Sequence, residues 1–281
     1  MTQIQSNYSI PRIIAHALLR NKARIEDFKP SCIEIKGYYC DSKKLSGFEQ
    51  AFRHPDDMPT FAFIATFRLV MQCISQSNIP SKLMGLIHLQ SSFDINRKQN
   101  WLAPTDITVC LENAEQTEKG KLYTVVTTLK QSGEITLVNT NTFLDKARGY
   151  KPKANTDEAL EKQESIELGK PIAQLALSLK TAWQYARLSG DFNPIHLHPW
   201  LAKKFGLKDV LIHGMFSAHY AVNEVLKLSQ ELPKHLLVSF NKPCFLPNQA
   251  YLRQYGDTNK YGLFSIDGND RFIKLTMNDT E

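Results

Sequence analysis

The sequence predicts an α+β protein built from two like halves, each with one long apolar helix wrapped by an antiparallel sheet. Three observations carry this. An apolar run of helical character occurs once in each half, "FAFIATFRLVMQCISQ" from Phe61 and "HGMFSAHYAVNEVLKLSQ" from His213. Each run ends in Ser-Gln and meets a proline soon after, Pro80 and Pro233; each then passes into an extended stretch, "KLMGLIHLQSSFDI" and "HLLVSFNKPCFL". The matching features keep an offset near 154 residues, as from Gln76 to Gln230, which is the mark of a duplicated unit.

The elements follow in order. Pro11 with "RIIAHALL" reads as a proline-started helix. That region also carries Arg12, Arg20, Lys22 and Arg24 without an acid, a weak likeness to an organelle transit segment, and the helix is the preferred reading. After the first long helix, "DITVCLENA", "KLYTVVTTLKQ" and "ITLVNTNTFL" alternate apolar and polar residues and are rich in β-branched side chains. With the turn "QSGE" between the last two, they predict an antiparallel meander. The polar stretch from Asp145 to Ser165 reads as a linker, giving a first repeat over 1–144, a linker over 145–165 and a second repeat over 166–281. In the second repeat "LKTAWQYARLSG" has helical spacing, with Trp183 and Tyr185 as core aromatics, Ser189 as a cap and Gly190 as its C-terminal stop. "AYLRQYGD", "YGLFSIDG" and "RFIKLTM" are strands again.

Composition narrows the function classes. The chain has 281 residues, 42% hydrophobic and 22% charged, which excludes a disordered or fibrous protein. The net charge of +6 comes without a dense basic stripe or a nucleic-acid motif, so no nucleic-acid partner is expected. No run is long enough to span a membrane: Phe61–Phe67 is followed at once by Arg68. The five cysteines are widely spaced and lack C-x-x-C, which predicts reduced, buried thiols and a cytoplasmic protein.

The chemistry concentrates in "ARLSGDFNPIHLHPW". Asp191 and His196 are five residues apart. A helix would set them roughly 140° apart and a strand on opposite faces. Pro194 prevents either and pushes Asn193 to extended backbone, so a turn can bring carboxylate and imidazole to one point. Gly214 opens the second long helix; a glycine there admits close approach by a ligand, and the first N–H groups of a helix suit a developing negative oxygen. Asp and neutral His, with ordinary pKa values of about 3.9 and 6.5, can share one water and move its protons near pH 7.

"YARLSGDFNPIHLHP" followed by "IHGMFSAH" resembles the signature of the MaoC-like dehydratases, the (R)-specific enoyl-CoA hydratases, of the form Y-A-x-x-S-G-D-x-N-P-I-H with H-G-M after it. "VSFNKPCFLPN" resembles the family strand after the central helix, and "MGLIHLQSSFDI" with the helix before it resembles the altered first repeat of two-repeat members. The resemblance implies a double hot-dog fold and (R)-specific hydration of trans-2-enoyl thioesters, or the reverse dehydration of 3-hydroxyacyl thioesters, by a hydro-lyase. It implies that Asp191 and His196 hold the water, that Asn193 helps position it, and that the Gly214 N–H binds the thioester oxygen. His196 is assigned as principal proton acceptor and Asp191 as water-orienting partner and proton donor. His213, Met215 and Ser217 fall at the substrate, His213 as a packing or loop-bonding residue rather than a catalyst. The partner is an acyl-CoA or acyl carrier protein thioester, and no cofactor is needed beyond the CoA or phosphopantetheine of the substrate. A homodimer is compatible with such a fold.

Two departures stand out. His198 replaces the acid that many members carry two places after the histidine. The first half has no D-x-x-x-x-H, and Phe61 sits near where the glycine would fall, so this half is expected to be non-catalytic and to cover or lengthen the acyl pocket. A metal held by His196 and His198 lacks a third ligand at useful spacing. Ser217 is not in a G-x-S-x-G elbow, so a serine hydrolase is unsupported. A hot-dog acyl-CoA thioesterase leaves the D-x-N-P-I-H spacing unexplained, and a non-catalytic acyl-CoA-binding subunit leaves the intact pair without use. His88 and His219 read as core or pocket wall, and Lys203, Lys204 and Lys208 as a solvated face in preference to a phosphate site.

Overall fold

The structure is a computed structural model and describes residues 24–147, 149, 168–229, 231–256 and 259–278. The helix expected after Pro11 and most of the 145–165 linker lie outside the described residues. The first half contributes β1 (Ser31–Tyr38), β2 (Ile87–Ile95), β3 (Thr105–Thr117), β4 (Gly120–Gln131) and β5 (Glu134–Lys146). The second contributes β6 (Leu168–Leu177), β7 (His235–Phe240), β8 (Asn248–Tyr255), β9 (Lys260–Ser265) and β10 (Arg271–Asn278). Strand β5 thus continues past the expected end of the first repeat at residue 144, because its last residues still pair with β4, Lys146 opposite Gly120.

All ten strands form one antiparallel sheet in the order β1-β3-β4-β5-β2-β7-β10-β9-β8-β6. The order is the same read from either edge, so each half repeats the topology of the other. The halves join where β2 meets β7, with Gln90 opposite Ser239 and Phe93 opposite Leu236. Among the described residues five α-helices accompany the sheet: α1 (Ser42–Ala51), α2 (Phe61–Gln76), α3 (Leu179–Ser189), α4 (Pro199–Lys204) and α5 (Gly214–Ser229). The long helices α2 and α5 have 16 residues each, as the duplicated apolar runs predict.

The core lies between these two helices and the inner face of the sheet. Helix α2 buries Phe61, Ile64, Val70, Cys73 and Ile74; α5 buries Met215, Ala218, Ala221, Val222, Val225 and Leu226. Strand β4 shows the period of two, with Tyr123, Val125, Thr127 and Leu129 all turned inward. Each fully buried Val, Leu or Ile side chain contributes about 1.5–3 kcal/mol by leaving water. His219 ties the halves together from inside this core, its Nδ1 bonding Thr60 Oγ1 at 2.8 Å beside the start of α2 and its Nε2 bonding Tyr185 Oη at 3.1 Å on α3. His88 also falls in the wall of the core, packed between Phe63, Phe143 and Phe240, with Nε2 on Asn141 Oδ1 at 3.0 Å.

Three expectations need correction or refinement. Cys32 and Cys110 are not free thiols: they form a disulfide, because the β1–β3 register sets them directly opposite with Cα atoms 4.1 Å apart. A separation of 78 residues in sequence hides that pairing. Cys40, Cys73 and Cys244 are free. Trp183 is no core residue; it is 36% exposed, with the Arg187 guanidinium over its ring. Phe61, at the place equivalent to Gly214, is fully buried and packs edge-on against Phe48 and Trp101, so a large ring fills the start of the first long helix. Among the described residues no helix is long and apolar enough to cross a membrane.

Candidate active site

The site is built outward from the end of α3. The helix opens with Ser178, whose side chain accepts from Thr181 N, and stops at Gly190, whose φ of 81° is the left-handed conformation that glycine adopts without strain. Ser189 Oγ donates to Tyr185 O at 2.8 Å and accepts from Asp191 N at 3.1 Å, which fixes the backbone entering the loop. Two side-chain turns follow. Asp191 Oδ1 accepts from Asn193 N at 3.1 Å, and Asn193 Oδ1 accepts from Ile195 N at 3.4 Å. They wind the chain into a 3-10 turn over Pro194–His196, begun by the proline. This is the bend that the Asp191 to His196 spacing requires.

His196 Nδ1 lies 3.0 Å from Leu211 O. A carbonyl only accepts, so Nδ1 carries the hydrogen and Nε2 keeps the basic lone pair. Leu211 is itself held: its N–H donates to Ile195 O at 3.1 Å, and it bridges to Phe245. His213 Nε2 lies 3.0 Å from the Asp191 backbone carbonyl and donates to it by the same logic. Its ring stacks on His196 with centroids 4.0 Å apart and planes at 27°. Its Nδ1 is buried and has no hydrogen-bond partner among the described residues. Asp191, His196 and His213 each bring one donor atom to a cluster in which all lie within 4.8 Å of one another. Burial depresses the pKa of His196, while the Asp191 carboxylate opposes the shift. Burial depresses that of His213 further, helped by the neighbouring His196. Both rings are therefore neutral near pH 7.

The third group of the cluster is His213, which no spacing rule supplied; its bond to Asp191 runs to a backbone carbonyl and leaves no side-chain pattern. Three such groups invite comparison with a metal centre. The two imidazole rings stack with their planes 27° apart, and no ion is assigned to them. His198 does not join the cluster: its Nδ1 accepts from Trp200 N at 3.2 Å and caps α4.

Gly214 begins α5 directly after His213. Phe216 N and Ser217 N are the first to bond back, to His213 O at 3.1 and 3.4 Å, so the Gly214 and Met215 N–H groups precede the helical ladder. The glycine is required by a neighbour that sequence does not reveal. A Cβ at this position would stand 2.7 Å from Phe240 Cδ1 and 2.9 Å from Cε1. Met215 packs into the core, and Ser217 Oγ is buried without a partner among the described residues. Asn193 has its oxygen occupied by the turn.

Burial of His219 carries a consequence for stability. Its pKa is pushed down to about 3. An unfolded chain takes up that proton near pH 6.5, so the stabilisation is complete above that pH and is lost as pH falls toward 3, by about 1.4 kcal/mol per pH unit. Urea unfolding between pH 6.5 and 4.5 should show His219→Gln, which can still hydrogen-bond but cannot titrate there, with a shallower decline than the parent. Equal slopes would refute this assignment.

The fold and this loop have counterparts among known proteins. Residues 157–255 match the family model described as a MaoC like domain. The 3-hydroxyacyl-thioester dehydratase X of Mycobacterium tuberculosis is 29% identical over 204 residues, 71% of this chain and 70% of that protein. The crystal structure of HtdX from Mycobacterium tuberculosis superposes with a TM-score of 0.73 at 24% identity, covering 88% of this chain and 99% of that one. A further Mycobacterium tuberculosis structure, described as a double hot dog, gives a TM-score of 0.50 at 11% identity over 87% of this chain and 94% of that one. The architecture is a double hot dog. Its second half is similar to the MaoC like domain over residues 157–255.

Proposed function

We propose that the protein is a hydro-lyase that adds water to trans-2-enoyl thioesters with (R) specificity, or removes it from 3-hydroxyacyl thioesters. The observation that carries this is the convergence of the Asp191 carboxylate and the His196 imidazole, whose Nδ1 is held by Leu211 O, in the loop before α5. A water between them loses a proton to His196 Nε2 while Asp191 orients it. Its oxygen bonds to C3, the thioester oxygen gains negative charge against the Gly214 N–H, and C2 receives a proton from the Asp191/His196 pair. One water is consumed per turnover, and no other reagent is required. His213, holding the Asp191 backbone and backing the His196 ring, positions both; Met215 and Ser217 lie in the first turn above the substrate.

The likeness to a 3-hydroxyacyl-thioester dehydratase supports the same reading. The substrate is an acyl-CoA or acyl carrier protein thioester. The division into a non-catalytic first repeat over 1–144 and a catalytic second over 166–281 belongs to this proposal, supported by Phe61 filling the helix start where Gly214 stands in the other half. So do a cytoplasmic location and pairing into a homodimer. Purified protein should remove the enoyl absorbance of trans-2-enoyl-CoA without releasing thiol. Thiol release with the enoyl band intact would mean a thioesterase, and neither change would sink the proposal.

A further inference from the structure

The segment that carries Asp191 and His196 also carries an exposed apolar surface that the reaction does not use. Phe192 is 53% exposed, Trp200 57% and Phe205 46%. The lobe is contiguous with the catalytic turn: α4 packs on the Pro194–His196 turn, and His198 caps it. Its cations are Lys203, Lys204 and Lys208, all exposed, and none has a carboxylate partner among the described residues. They lie over aromatic rings instead, Lys204 Nζ 3.6 Å above Trp200 and Lys208 Nζ 4.4 Å from Phe245. Phe245 pairs with Leu211 through an isolated backbone bridge. From Phe192 to Lys208 the run carries three lysines, and Asp191 and Asp209 bound it.

A solvated helix face would not expose three large aromatic side chains beside unpaired lysines. A free nucleotide could use one ring for stacking and the lysines for its phosphates, and would leave the other rings in water. Exposed Trp and Phe among cations match instead the pattern of a protein interface, in which aromatic anchors sit beside charges complementary to the partner. We infer that the Trp200, Phe205 and Lys203–Lys208 lobe docks an acidic carrier protein that presents the acyl group on its phosphopantetheine arm. This inference rests on the proposed thioester chemistry for its substrate, but docking can be measured without turnover.

The decisive measurement is fluorescence anisotropy of a dye-labelled acidic holo-acyl carrier protein titrated with the full chain. Binding should weaken at least tenfold in Lys203→Glu/Lys208→Glu and in Trp200→Ala, and several-fold when NaCl rises from low to physiological strength. In parallel, turnover of the crotonyl thioester of N-acetylcysteamine, which has neither carrier nor nucleotide, should be unchanged in these variants. Crotonyl-CoA turnover should change less than turnover of the crotonyl carrier. No binding by the parent, binding unmoved by charge reversal, or an equal loss with crotonyl-CoA would overturn the inference. Loss of turnover with the N-acetylcysteamine thioester would also overturn it, since the lobe would then support the site and not the carrier. Patch-dependent binding with no thioester turned over would leave docking standing and defeat the proposed reaction.

Discussion

Replacing His196 by asparagine is expected to lower kcat/KM for enoyl thioester hydration by roughly 10³-fold while leaving the fold intact. The amide Nδ2 of asparagine can take the place of imidazole Nδ1 and donate to Leu211 O, so the loop keeps the bond that now measures 3.0 Å. What the variant lacks is a basic lone pair where Nε2 stands. Asp191→Asn is the matching test of the carboxylate. Its oxygen can still accept from Asn193 N, preserving the turn and removing only the charge. A comparable fall in kcat/KM is expected, and because the proposed mechanism has the two groups act on one water, the double variant should lose little more than either alone. Near-parental rates in either single variant would remove that residue from the mechanism.

The second large effect is expected at Gly214. Adding a methyl group there drives it into the Phe240 ring at 2.7 Å, well inside normal contact. Either the ring or the start of α5 must move. Overpacking of this kind costs about 1–3 kcal/mol of stability. A displaced N–H at the thioester oxygen costs roughly 10²–10³-fold in kcat. Phe240→Ala in the same chain removes the obstacle and should recover at least a tenfold share of the loss, measured as kcat at saturating enoyl thioester. If the double variant is no better than Gly214→Ala alone, Phe240 is not the reason for the glycine.

The long helices could be read from the sequence because their apolar faces repeat with the helical period over sixteen residues. The strands β3, β4 and β5 could be read because one face is buried and the other is wet, which imposes a period of two. The turn from Asp191 to His196 was legible because aspartate, asparagine and proline each restrict the backbone locally, and their restrictions agree. What could not be read depends on register or shape between distant segments. Cys32 faces Cys110 only through the β1–β3 pairing. His213 reaches Asp191 through a backbone carbonyl, which has no identity in sequence. Phe240, at the end of β7, lies against Gly214, and no spacing between the two residues announces it. His198 was visible but unexplained, since a cap can be recognised only once the helix it caps is seen.

The palindromic strand order has one more consequence. Two identical chains joined edge to edge at the β2–β7 seam would carry every substitution twice, once at each helix start, and a bulky residue that closed one site would close the other as well. Here the seam lies within a single polypeptide, so Phe61 and Gly214 are independent positions in one chain. A change at the first helix start acts once, and the second can keep its glycine. Joining the halves covalently therefore separates two requirements that symmetry would hold equal, and it fixes them at one of each in every molecule.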